Sequence, residues 1–147
     1  MKVQCLNPLE TYGVIDNNDI QAGLIAYLKA NTIVVALLAS GTSIKEDQWQ
    51  GTTFVYPAVR VDLGMQLPRA NCDGAETTFS IVCYSEDASS QEADELAGTV
   101  NNQLHRKAFT SSSVRYSIYS QGLIPAIRED DRTWRSEATF HATIESG

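Results

Sequence analysis

Apolar and polar residues alternate almost without fault from Thr133 to Ile144. Trp134, Ser136, Ala138, Phe140, Ala142 and Ile144 fall on one side, and Thr133, Arg135, Glu137, Thr139, His141 and Thr143 on the other. A period of two predicts a strand with one dry and one wet face, in an antiparallel sheet covered on one side only. The same period recurs at three earlier places. Val59, Val61 and Leu63 alternate with Arg60 and Asp62 up to Gly64, behind Tyr56-Pro57, a proline placement that suits a strand start or an edge. Thr77, Phe79, Ile81 and Cys83 alternate with Thr78, Ser80, Val82 and Tyr84, which predicts a hairpin with the preceding strand. Val114, Tyr116 and Ile118 alternate with Arg115, Ser117 and Tyr119. Gly122 to Arg132, with Pro125 and the triplet Glu129-Asp130-Asp131, reads as the link to the closing strand.

Helical spacing appears twice. Asp16, Asn17 and Asn18 offer caps to a helix in which Ile20, Leu24, Tyr27 and Leu28 recur, and the run Ile33 to Ala39 suits a short second helix or a buried strand. Ser89-Ser90-Gln91-Glu92 has the form of a capping box, followed by an apolar stripe of Ala93, Leu96, Ala97, Val100, Leu104 and Ala108. The expected fold is α+β: a four-stranded, mainly antiparallel sheet with helices packed on one face, in the order α-(α)-β-β-α-β-β. Residues 1–147 form one domain, with an N-terminal arm at 1–16 and protruding loops at 41–53 and 65–75.

Composition narrows the function more than the fold. A chain of 147 residues, 43% hydrophobic and 20% charged, suits one globular domain. Its longest apolar run is far short of the roughly 20 residues of a membrane span. The start Met1-Lys2-Val3-Gln4-Cys5-Leu6 lacks the apolar core of a signal peptide, which places synthesis in the cytoplasm. Cys5, Cys72 and Cys83 have neither zinc nor disulfide spacing and are read as free thiols. A net charge of −7 disfavours tight nucleic-acid binding, which needs Lys and Arg against phosphates.

No residue pattern carries chemistry. His105 and His141 stand alone, each on the wet face of its element, and neither a Gly-x-Ser-x-Gly elbow nor a glycine-rich phosphate cradle occurs. Glu129 to Asp131 lacks the spaced ligands of a calcium loop and reads as a solvated turn. The expectation is therefore a protein without enzymatic activity, catalytic residue, cofactor or metal. Trp49 in a polar loop is read as packing on its own domain or against another subunit, and Gly98 inside a helix as a tolerated accident or the close approach of another backbone.

Three segments, in order, carry a family likeness: Tyr56-Pro57-Ala58-Val59-Arg60-Val61, the strand ending Cys83-Tyr84-Ser85, and the helix with Glu92-Ala93-Asp94-Glu95-Leu96-Ala97. Together they resemble the tail terminator, or tail completion, proteins of tailed bacteriophages, over roughly residues 18 to 145. The resemblance implies a virion structural protein of the tail or neck. It would form a ring, usually a homohexamer, that caps the tail tube and joins it to the head. Its partners would be itself, the tail tube protein and a head-tail connector or stopper, with DNA only as passing cargo and no membrane. Another neck or minor tail component is the alternative, and a small ligand-binding domain or enzyme the more distant one. The expected subunit surface comprises Trp49, Gly98, Glu129, Asp130, Asp131, Arg135 and Glu137.

Overall fold

The computed structural model describes residues 15–39, 43–46, 55–68 and 74–146. The elements are α1 (Asn17–Ala30), α2 (Thr32–Val35), β1 (Ile44–Glu46), β2 (Ala58–Pro68), β3 (Ala75–Ser85), α3 (Gln91–Leu104), β4 (Lys107–Ser111), β5 (Val114–Arg128) and β6 (Trp134–Ser146).

Local chemistry sets the helix ends. Asp16 caps α1 by accepting from the Asn18 N–H at 2.8 Å, satisfying a donor that the first turn leaves free. Asn31 ends α1 and starts α2, because its side-chain oxygen accepts from the N–H groups of Ile33 and Val34. The run from Ile33 thus begins as a helix. The expected capping box does not form: Ser90, the N-cap of α3, makes no side-chain cap, and the Glu92 carboxylate instead accepts from the Ser85 hydroxyl at 2.6 Å. The stripe Ala93, Leu96, Ala97, Val100 and Leu104 is buried as its spacing requires. The helix stops there, with His105 as its C-cap, and Arg106 turns the chain at φ 60° so that Ala108 lies in a strand.

The sheet departs from the expected four antiparallel strands. It has six, in the order β1-β2-β3-β6-β5-β4, and it is mixed, since β1 runs parallel to β2. β1 lies in the expected loop 41–53, and its three residues are too few to show a period. β4 presents Phe109 and Ser111 to the interior, and the Phe109 ring stacks between Tyr27 and Tyr116 at 3.7 and 4.9 Å. The expected loop 65–75 is partly strand, because β2 runs to Pro68 past a bulge between Leu63 and Gln66 and β3 begins at Ala75. Ile15, expected in the arm, is buried, and the Gln66 side chain bonds both its N–H and its C=O.

Nor is the sheet a flat layer with helices laid on one face. It curls into a half-barrel around α1, which makes hydrogen bonds to both sides of the sheet. Gln21 donates to the Val61 C=O of β2, while from the other side Tyr116 donates to Ile20 C=O at 2.7 Å and Ser111 to Gly23 C=O at 2.8 Å. Gly23 permits that approach: a Cβ there would overlap the Tyr116 hydroxyl and lie 2.8 Å from the Ser111 carbonyl oxygen. Inside the curl, Phe79 and Phe140 stack at 5.1 Å among Leu96, Val100, Ile118 and Ile144. Among the described residues no helix is long and apolar enough to cross a membrane.

Gly98 lies half-exposed on α3, and a Cβ built on it meets nothing within 4 Å. Among the described residues, no backbone of its own chain requires the glycine. Gly98→Ala is expected to stabilise the protein by about 1 kcal/mol in urea unfolding, through the helix propensity of alanine. No gain, or a loss, would contradict the open space around it.

Candidate interaction surface

β5 pairs with β4 only from Val114 to Ile118, but with β6 as far as Arg128. Beyond Ile118 it is therefore an edge strand, in a segment that the sequence presents as a link. That distal half exposes Tyr119 (53%), Leu123 (48%), Ile124 (46%) and Ile127 (55%). The register places Tyr119 opposite His141, Ile124 opposite Glu137 and Ile127 opposite Arg135, so three of the four lie on the convex face beside the wet row of β6.

Two bulges shape this edge, one between Ser120 and Gly122 and one between Ile124 and Ile127. Gly122 takes φ 133° at the first, where Ser120 N–H donates to His105 Nδ1 at 2.8 Å. At the second, Ala126 N–H donates to the Asp94 carboxylate at 2.8 Å and the Ser136 hydroxyl to Ile124 C=O at 2.9 Å. Pro125 has no N–H to offer. Side chains from the two ends of α3 thus occupy main-chain donors of the edge, which discourages indiscriminate strand pairing and leaves side-chain contact as the means of recognition. His105, expected on the wet face of a helix, caps that helix and holds the bulge.

The turn from β5 to β6 is built by its own acids. Asp130 Oδ1 accepts from the N–H groups of Arg132 and Thr133 at 2.8 and 2.9 Å, and Arg128 donates to the Asp131 C=O at 2.7 Å while its guanidinium lies 5.2 Å from the Trp134 ring centre. Arg135 pairs with Glu137 at 3.1 Å and more loosely with Glu129 at 3.8 Å. Partly exposed pairs of this kind contribute at most about 1 kcal/mol to folding. The hairpin therefore gathers Glu129, Asp130, Asp131, Arg135 and Glu137, as the sequence suggests, but leaves Gly98 on α3. Trp49 lies outside the described residues.

The N–H of Arg132, with further hydrogen bonds from Thr133, holds the Asp130 carboxyl below its ordinary value of 3.8. A depressed folded pKa stabilises the turn above that ordinary value, and the contribution is lost as pH falls through the folded one. An NMR titration is expected to place the Asp130 midpoint below 3.8 and to show reduced protection of the Arg132 and Thr133 amides beneath it. A midpoint at or above 3.8 would contradict the turn geometry.

Cys83 is a free, buried thiol whose pKa burial pushes up, and His141 bonds the Glu76 carboxylate at 3.1 Å. Among the described residues no three His, Cys, Asp or Glu side chains are placed to hold a metal. Three exposed apolar side chains, Tyr119, Ile124 and Ile127, lie beside the Arg135–Glu137 pair on the convex face.

The chain superposes on one from the virion of a native gene transfer agent (GTA) particle with a TM-score of 0.64 over 86% of this chain and 95% of that one, at 22% identity. The two share one fold. A second solved structure gives a TM-score of 0.62 over 91% of this chain and 99% of its own, at 11% identity. No family model and no curated protein matches the sequence.

Proposed function

We propose that this chain is a structural protein of a phage-like virion, acting as a tail terminator. Copies would assemble as a ring, usually of six, which caps the tail tube and joins it to the head connector or stopper. The fold shared with a chain of a gene transfer agent virion, over nearly the whole length of both, carries this proposal. The exposed apolar edge of the β5–β6 hairpin supports it, because such a strip suits permanent contact between protein copies better than chemistry. A net charge of −7 also suits a passage for DNA, since like charges repel within about 8 to 10 Å at physiological salt.

Deletion of the gene tests the role. Overlong tail tubes are expected, because nothing would then stop tube growth. Tails of normal length beside full, unattached heads would move the chain to a connector role, and unaltered particles would remove it from the virion.

A further inference from the structure

We propose that the cationic, apolar end of the hairpin edge seats in the acidic groove between α2 and α3 of a second copy, joining copies head to tail. The inference rests on the ring reading above, and supplies the contact that would build the ring.

Arg106 and Lys107 are exposed side by side where α3 turns into β4, and the Arg106 N–H is tied to Ile118 C=O at 2.8 Å. Among the described residues neither makes an ion pair. Tyr119 follows at once along β5, its ring against His105 at 6.2 Å, and the apolar edge continues through Leu123. Lys107 pairs with Ile118 and Leu123 with Ala138, so the Lys107 and Leu123 side chains lean to the concave side and Tyr119 to the convex side, and this end presents cations and apolar groups about one strand edge.

The same chain carries the complement on other elements. A groove of about 230 Å³ is lined by Asp87, Glu92 and Glu95 over Leu37 and Leu96. Its Glu92 is held in place by Ser85, and its floor is apolar, since Leu96 is buried. Three carboxylates around apolar side chains face two guanidinium or ammonium groups beside apolar side chains, so both charge and hydropathy match.

A two-fold packing of hairpins about the middle of the edge would set Arg106 and Lys107 against Glu129 to Asp131 of the other copy, but such a contact closes as a dimer and builds no ring. In the head-to-tail contact the acidic turn stays clear of the acidic groove, because about 30 Å of strand separates it from Lys107 at roughly 3.3 Å per residue. A contact between two different surfaces of one chain is heterologous, and such contacts close into rings when the rotation permits.

Protein labelled with ¹⁵N, mixed with unlabelled protein at high concentration and treated with a carbodiimide, tests this by mass spectrometry. Mixed-isotope links from Lys107 to Asp87, Glu92 or Glu95 are expected. Sedimentation of the Arg106→Glu, Lys107→Glu variant is expected to show at least about tenfold weaker association, recovered when Asp87→Lys and Glu95→Lys are added. Absence of mixed-isotope links at Lys107, links to the Glu129–Asp131 turn instead, or failure of the charge exchange to restore association would each overturn the proposal. If the protein is nonetheless found in particles, the ring reading stands without this contact; absence from particles sinks that reading itself.

Discussion

A variant carrying Ile124→Asp and Ile127→Asp is expected to fold like the wild type and to disappear from assembled particles. Both side chains are about half exposed on a strand that is paired on one side only, so about half of each leaves water on folding. Stability in urea should fall by about 2 kcal/mol, half the burial value of two isoleucines. Assembly should suffer far more. Two carboxylates in the centre of an apolar contact would have to be desolvated, the one at position 124 beside Glu137, enough to lower incorporation at least about a hundredfold. Quantitative mass spectrometry of purified particles, beside circular dichroism of the free protein, separates the two effects. Normal incorporation would show that the distal β5 edge faces solvent in the particle.

The second large effect concerns folding. Gly23→Ala is expected to destabilise the protein by about 3 kcal/mol, at the upper end of the usual overpacking cost, because the added methyl meets main chain as well as a side chain. The Ser111 carbonyl oxygen cannot rotate away as a side chain could. Tyr116→Phe alone should cost about 1 kcal/mol for the lost hydrogen bond to Ile20. In the Tyr116→Phe background the Gly23→Ala penalty should shrink, since one of the two overlapping groups is gone. A urea double-mutant cycle checks this coupling. Strict additivity would mean that the sheet does not close on α1 through these groups.

The sequence is legible where burial is one-sided and the strands are long. β6 buries Ser136, Ala138, Phe140, Ala142 and Ile144 in strict alternation, the pattern that the sequence displays. The α3 stripe likewise follows from its spacing. Edge strands are not legible, for a physical reason: β1 and β4 have a partner on one side only and are short, so they need no extended period of apolar residues. β4 is further concealed because Ala108 continues the helical stripe of α3, and only the left-handed turn at Arg106 breaks it.

The candidate surface is half legible. Its charged members, Glu129 to Asp131, Arg135 and Glu137, stand out as an acidic turn and the wet row of a strand. Its apolar members do not, because Gly122 and Pro125 normally punctuate loops, whereas here each sits in a bulge of a continuing strand. A signal is present in Leu123-Ile124-Pro125-Ala126-Ile127, which is too apolar for a solvated link and lies opposite the closing strand across the turn. Similarly, Ser89 and Glu92 carry the letters of a capping box, but the Glu92 carboxylate has a competing donor in Ser85, which the sequence places on another element.

The most direct measurement of the central claim is electron microscopy of intact particles with this protein carrying a visible label. Label at the junction of head and tail, as a ring around the tube end, is the result expected of a tail terminator. Label along the tube or on the head, or none on the particle, would contradict it.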